Sequence, residues 1–340
     1  MSDWLINPRF TLVRTKRFFS IEATSTERWL TTRLQRALGS AAADIDFSCV
    51  AARCAIEEDV NKARQSRARF CELDKQRGFR STEDYCAVLG PLLTQESQFS
   101  FDRAAHPLRT SLIKCLGLEG PEELCLEYLH LNQRGTDAGK RHGREGKLSI
   151  LSGLLDVRRR RDFHLVYDAF VRSQVLPLVT RHHSAPATTM FYQSFPCFRT
   201  VRPGEFSIGC HCDITYGFSQ ATLNVWLPLT TVSGTNSLVV ESACGLEDWH
   251  ALNGDYGTAW LFHGALSNHF TPANTTATTR ISIDFRVILG PLWEPGHDRF
   301  CSEPGYFLEA ELVDGLWERV NKVLPLPHPD GRMGFPFGKA

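Results

Sequence analysis

Apolar residues recur at helical spacing through the first half of the chain and at alternate positions through much of the second. Leu30, Leu34, Ala37 and Leu38 share one helical face, behind a Thr24-x-x-Glu27 capping box and ahead of Gly39. Phe47, Val50, Ala51 and Cys54 repeat at i, i+3, i+4 and i+7, which predicts a second helix continuing through a charged stretch to about Phe70. Pro121 opens a third with Leu124, Tyr128 and Leu131 as its stripe. Phe163, Val166, Tyr167 and Phe170 mark a fourth, from Asp162 to about Thr180. Between Gln133 and Arg161 the pattern yields to Gly, Lys and Arg, ending on Arg158 to Arg161. That stretch reads as a polar surface loop, with a lid over an anionic substrate as the functional alternative.

After about Ala187 the period changes to two. Runs 189–195, 198–202, 206–213, 221–229, 236–241, 258–262, 266–271 and 279–288 read as strands, punctuated by Pro203-Gly204, Ser233-Gly234 and Asn253-Gly254-Asp255. So many short strands within about a hundred residues predict a jelly roll. The expected class is α+β: a double-stranded β-helix (jelly-roll, cupin-like) core over 188–290, a helical N-terminal region over 1–187 packed on it, and a C-terminal extension over 291–340. That extension carries a short helix around Leu308–Val323, and the whole is one integrated domain.

Composition narrows the function classes. At 340 residues, 42% apolar and 22% charged, the chain has the makeup of a soluble globular protein. A formal charge of zero supplies no global field for nucleic acid or an anionic membrane. No apolar run is long enough to span a bilayer, and Met1-Ser2-Asp3-Trp4 has no basic-then-apolar leader, so a cytoplasmic protein is expected. Eleven cysteines, an odd number without a CxxC pair, read as reduced and mostly buried thiols.

Chemistry concentrates around His211-Cys212-Asp213. Residues two apart on a strand share a face, so His211 and Asp213 aim together while Cys212 aims away. Roughly one His-x-Asp/Glu triplet is expected by chance at average usage. His328-Pro329-Asp330, in a Pro-rich tail with no later histidine, fits that accident. Two histidines and a carboxylate are the set that holds a non-haem Fe(II) on one face and leaves positions open. His263, before Gly264, and His269, on a face with Ser267 and Thr271, compete to be the third ligand.

Arg280, Ser282, Asp284 and Arg286 form one face of a strand, and Ile281, Ile283 and Phe285 the other. With helices covering the apolar face, the polar face lines the interior, where four polar groups must bind something or each other. A carboxylate on the Arg280 guanidinium, with the Ser282 hydroxyl beside it, satisfies two of them. Asp284 and Arg286 either pair together or leave Arg286 for a carboxylate of the substrate. On Leu223–Leu229, Asn224 and Trp226 point inward as candidate substrate contacts, Trp226 being readable also as barrel filling. Glu241 is either substrate-facing or a turn acceptor.

The stretch from about Phe191 to Val287 resembles the iron(II)/2-oxoglutarate-dependent oxygenases, in particular the phytanoyl-CoA-hydroxylase-like branch and the StrG-type oxygenases of streptomycin-like clusters. The residues carrying the resemblance are Arg202-Pro203-Gly204-Glu205-Phe206, His211-Cys212-Asp213, Leu223 through Thr230, Gly234-Thr235-Asn236-Ser237-Leu238 with Glu241-Ser242, His269 through Arg286, and the tail Gly331 through Phe337. The helical first half resembles no family. The resemblance implies that His211, Asp213 and His269 hold catalytic Fe(II), and that Arg280 and Ser282 hold the far carboxylate of 2-oxoglutarate, with O2 as the other co-substrate. Related halogenases replace the aspartate by a small residue, so Asp213 implies hydroxylation or another oxidation. Asn268-His269-Phe270 departs from the pattern, since many relatives place glycine straight after the histidine. The implied substrate is a small polar metabolite, such as an amino acid or amino-sugar derivative of secondary metabolism. An AlkB-like nucleic-acid demethylase is the alternative within the chemistry, suggested by Arg280 and Arg286 six apart and by Arg158 to Arg161 as a phosphate site. The zero net charge and the lack of a basic, aromatic-interleaved stripe argue against a nucleic-acid partner. The alternative outside it is a non-catalytic cupin-like binding protein, against which the intact ligand set stands.

Overall fold

The computed structural model describes residues 50–131, 154, 156–183, 187–204, 207–297 and 304–322. The predicted helix behind Thr24, nearly all of the Gln133–Arg161 stretch ahead of its arginine cluster, and His328-Pro329-Asp330 lie outside them. Helix α1 (Val50–Gln76) runs past Phe70, as far as the charged stretch allows before Gly78 takes a left-handed φ of 84°. Its inward stripe turns polar along its length: Val60 and Ala63 are followed on the same side by Arg67 and Asp74. Helix α2 (Thr82–Leu89) starts on a reciprocal Ser81–Asp84 capping box, and α3 (Pro91–Thr94) follows directly.

Strand β1 (Ser97–Ser100) precedes α4 (Leu108–Leu116), which Gly117 ends in a left-handed conformation. Helix α5 (Glu122–Glu127) follows Pro121, but its predicted stripe is turned outward. Leu124, Tyr128 and Leu131 are exposed while Cys125, Leu126 and Leu129 are buried. The helix stops after Glu127, so the 3.6-residue period assumed across Leu124–Leu131 is not sustained.

Helix α6 (Val157–Phe170) is capped by Asp156, whose side chain accepts from the N–H groups of Arg158 and Arg159. Arg158 to Arg161 therefore form its first turns rather than the end of a loop, and Arg160 is buried. The helix widens into a π turn at Val171–Val175 and continues as α7 (Leu176–His182). Pro177 has no N–H to return to the preceding turn, which accounts for the widening.

The remaining strands are β2 (Thr189–Gln193), β3 (Cys197–Val201), β4 (Leu223–Pro228), β5 (Val239–Val240), β6 (His250–Ala251), β7 (Thr258–Phe262), β8 (His269–Phe270), β9 (Arg280–Leu289), β10 (Phe307–Val313) and β11 (Leu316–Arg319). An eight-stranded antiparallel sheet runs β1-β7-β4-β9-β2-β10-β11, with β3 also on β9; a three-stranded sheet runs β6-β5-β8. Two predicted elements differ. In run 206–213 the described residues, from 207 on, form no strand; His211 makes an isolated bridge to His269, and a 3-10 turn begins at Asp213. The expected helix around Leu308–Val323 is the β10–β11 hairpin, turning at Asp314-Gly315 with both residues at positive φ. Alternating burial along Phe307–Val313 shows why: its apolar positions repeat at two, not at 3.6.

The large sheet separates two cores. Its outer face, including Leu223, Val225, Leu227, Ile281, Ile283, Phe285 and Val287, packs on the helices, where Tyr167 and Phe170 meet the Phe285 ring edge-on. Its inner face contributes Trp226, Trp260 and Phe262 to a cluster with Val240, Leu238 and Leu252 from the small sheet and its flanks. The result is an α+β architecture with an antiparallel two-sheet core, and the space between the sheets holds the polar face of β9. The described cysteines are all free thiols; Cys115, Cys125 and Cys212 are buried and Cys244 is exposed. Among the described residues no helix is long and apolar enough to cross a membrane.

Candidate metal centre

Cys212 is extended (φ −125°, ψ 153°), so the residues on either side of it point the same way even though no strand forms there. His211 and His269 face each other across their bridge, ring centroids 4.2 Å apart. Asp213 Oδ1 lies 3.6 Å from His211 Nε2 and 3.7 Å from His269 Nε2. One ligand atom from each of the three residues falls within 4.8 Å of the others, and no other His, Cys, Asp or Glu group among the described residues does the same. Cys212 is fully buried in the opposite direction, beside Ile214, Ala265 and Leu266. His263 is not part of the set: its Nε2 meets the Gln220 carbonyl at 2.7 Å.

Each ligand is held by its other polar atom. His211 Nδ1 lies 2.8 Å from the Gly209 carbonyl and His269 Nδ1 3.0 Å from that of Ser267. A carbonyl only accepts, so Nδ1 carries the proton and Nε2 turns a free lone pair inward. Burial keeps both imidazoles neutral, pushing His211 down to about 3 and His269 in the same direction. On Asp213 burial alone would raise the pKa; the Arg286 guanidinium, His269, His211 and the Asn224 hydrogen bond together outweigh it and hold the carboxyl well below the usual range. The oxygen turned from the histidines, Oδ2, accepts from Asn224 Nδ2 at 2.7 Å and from Arg286 Nη2 and Nε at 2.8 and 3.0 Å. Oδ1 remains for a metal. Such neutral nitrogens and an anionic oxygen suit a divalent first-row ion with open positions.

The cavity beside these atoms is lined by Arg199, Trp226, Thr271, Arg280, Asp284 and Arg286, among others. Arg280 is 1% exposed, and burial lowers its pKa to about 9. Its terminal nitrogens donate to Ser237 O at 2.8 Å and Thr271 Oγ1 at 3.2 Å, but Nε has no partner. Ser282 Oγ, fully buried two residues along the same face, also has none. An orphaned donor and an orphaned hydroxyl on one strand face fit a carboxylate supplied from outside.

The other candidates sit as follows. Asn224 is on Asp213, and Trp226 is buried against Trp260 with ring centroids 5.4 Å apart. Arg286, considered for a substrate carboxylate, has its donors on Asp213 and, at 2.8 Å, on Asp284. Glu241 is a turn acceptor: it takes N–H groups of Gly245, Glu247 and Asn268 and pairs with Arg67 of α1. Two residues escaped sequence reasoning. Arg199 on β3 joins the cavity from a position whose signal was visible, a charge at the inward place between Phe198 and Thr200. Gly264 lies against Asn224 so closely that a Cβ there would meet Nδ2 at 2.5 Å, and only a bare glycine invited that inference.

No protein-family model matches the chain. The streptomycin biosynthesis protein StrG of Streptomyces griseus is 33% identical over 144 residues, which are 42% of this chain and 67% of StrG. Among solved structures, a nickel complex of the non-haem monooxygenase ThoJ covers 61% of this chain and 77% of its own at 15% identity and TM-score 0.32. A Pseudomonas putida prolyl-4-hydroxylase covers 61% and 92% at 16% identity and TM-score 0.31. Overlaps that slight carry no argument about chemistry.

Proposed function

The chain belongs to the family of the streptomycin biosynthesis protein StrG, and on that premise we propose that it is an Fe(II)- and 2-oxoglutarate-dependent oxygenase that hydroxylates a small polar metabolite. The observation that carries the reading is the convergence of two Nε2 lone pairs and one carboxylate oxygen beside a cavity lined by Arg280, whose Nε lacks a partner, with the unpartnered Ser282 hydroxyl two residues along the same strand face. We read the two-sheet core as a double-stranded β-helix enclosing that cavity, with the helices up to α7 and the C-terminal hairpin as additions to one domain.

His211, Asp213 and His269 would hold Fe(II), and Arg280 with Ser282 the far carboxylate of 2-oxoglutarate. Bound there, the metal and co-substrate would supply with O2 an oxidant able to attack an unactivated C–H bond, 2-oxoglutarate leaving as succinate and CO2. Arg286 and Asn224 fix the rotamer of Asp213 and keep it ionised, so the site has its ligand charge at neutral pH. Trp226 walls the cavity and excludes water, and Asp213 occupies the place that related halogenases leave small. Production of an antibiotic-type secondary metabolite is the setting we propose, by analogy with StrG alone.

The test is anaerobic titration of the purified protein with Fe(II) and 2-oxoglutarate, followed by visible absorption and calorimetry. Metal-dependent 2-oxoglutarate binding that His211→Ala abolishes is the expected result. Binding of 2-oxoglutarate without any dependence on metal overturns the reading.

A further inference from the structure

The cavity holds one more positive charge than its contents balance. The guanidinium groups lining it are Arg199, Arg280 and Arg286, and the carboxylates at it are Asp284 and, paired with Arg286, Asp213; each imidazole has its proton on the Nδ1 that meets a carbonyl and adds no charge. In the oxygenase reading, on which this inference rests, 2-oxoglutarate matches Arg280 with its far carboxylate. Its near carboxylate and Asp213 match a divalent ion. Arg199 and Arg286 then face Asp284 alone.

The excess has an address. Arg286 is 4% exposed and its donors are committed to Asp213 and Asp284. The Arg199 side chain is 30% exposed and lines the same cavity. It grips Asp284 side-on, Nε to Oδ1 at 2.7 Å and Nη2 to Oδ2 at 3.2 Å. A guanidinium has five N–H donors, so this grip leaves the end-on edge, one hydrogen on each terminal nitrogen. That edge is the planar fork that takes a carboxylate through two parallel hydrogen bonds. Asp284 fixes the fork in place, because its Oδ2 is itself held by Arg286 Nη1 at 2.8 Å. Opposite Arg199 in the strand register stands Ser282, which puts the fork on the co-substrate's face of the sheet.

We propose that the substrate is a carboxylate and that Arg199 binds it end-on, with Asp284 and Arg286 as the brace behind. Arg286, the residue that strand alternation alone suggests, is the support and not the receptor.

The experiment uses the full chain loaded with Zn(II), which does not turn over, and saturating 2-oxoglutarate. Ligand-observed NMR then compares N-acetylglycine, lactate and glucuronate, each with its primary amide, and glycerol phosphate. In the wild type each acid that binds should exceed its amide by about tenfold, the scale of charge-assisted pairing. Arg199→Gln should erase the difference, and Arg199→Lys, which keeps charge but loses the fork, should retain only part of it. Thermal melting checks that each variant folds; if the glutamine variant does not, the lysine variant decides. Equal binding of acids and amides, an acid preference that survives in both variants, or a preference for glycerol phosphate over every acid overturns the assignment. Failure to bind Zn(II) and 2-oxoglutarate at all overturns the oxygenase reading and this inference together, whereas the other failures leave that reading standing.

Discussion

Gly264→Ala tests whether the brace on Asp213 matters as the geometry says. The glycine sits in the loop before β8; its carbonyl accepts from Asp213 N at 2.8 Å, so the loop is tied to the ligand's backbone. A Cβ at this position would fall 2.5 Å from Asn224 Nδ2 and 2.8 Å from Oδ1, on a short side chain that is 2% exposed and cannot swing aside. Overpacking of this kind costs about 1–3 kcal/mol. Pushing Asn224 off the carboxylate forfeits a hydrogen bond to a charged group, about 1.5–3 kcal/mol more. Stability by urea denaturation should fall by about 3–5 kcal/mol, and Mn(II) affinity by calorimetry about 10- to 100-fold, the usual effect of loosening a ligand's support. The double variant discriminates. Asn224→Ala alone loses the hydrogen bond but opens the space that the new methyl needs. Adding Gly264→Ala to it should then cost about 1 kcal/mol or less. Strict additivity of the two losses, or a Gly264→Ala protein that binds Mn(II) like the wild type, refutes the account.

Other consequences follow from the same contacts. Arg280→Ala should weaken metal-dependent 2-oxoglutarate binding by about 100-fold or more, since breaking a buried charge pair costs ~3–5 kcal/mol; calorimetry reads it, and a loss under fivefold contradicts the assigned anchor. Ser282→Ala should leave the unliganded protein as stable as wild type, because its buried hydroxyl has no partner, while costing about fivefold in 2-oxoglutarate affinity. Arg67→Ala leaves Glu241 fully buried with only backbone donors, and should destabilise by about 3 kcal/mol in urea, with Glu241→Gln milder. His250 is paired with Glu96 of the segment leading into β1, and that hydrogen bond raises its pKa. The pair's contribution is therefore full below the unfolded value near 6.5 and is lost as pH rises through the higher folded one. It should amount to less than about 1 kcal/mol at this half-exposed place, and Glu96→Gln should flatten that part of the stability–pH curve.

How much of this was legible in the sequence depended on whether a feature repeats. Two-residue alternation located β2, β3, β4, β7 and β9 to within a residue or two, because each has one face in the helix-side core. Three other stretches were poorly served by it. Run 206–213 alternates in sequence but pairs only at His211, and the short β5 and β8 fill only part of their predicted ranges. The β10–β11 hairpin was read as a helix because Phe307 and Val313 stand beside the alternating Leu308, Ala310 and Leu312, which blurs the two-residue period, and because its tip is exposed. The ligand set was legible since two of its members are two residues apart on extended backbone. What holds the ligands was not, as Arg67 to Glu241, Arg199 to Asp284 and Asn224 to Gly264 are contacts between segments with no shared pattern.

One such contact was nonetheless fixed by visible alternation. Asn224 and Arg286 lie directly opposite each other in the β4–β9 register, and both donate to Asp213 Oδ2. Their neighbours on the other face are also opposite each other: Leu223 with Val287, Val225 with Phe285, Leu227 with Ile283. All six of these apolar residues are fully buried against the helices. A slip of one residue would turn β9's apolar set inward and carry Arg286 out to the helix side, away from the aspartate. Burying the outer face, at roughly 1.5–3 kcal/mol for each large side chain, therefore selects the one register that brings two donors to the metal-site carboxylate. The polar groups lining the cavity add nothing to that choice, and several lack partners in the protein. In this chain the stability of the apolar face holds an otherwise unfavourable polar face in position.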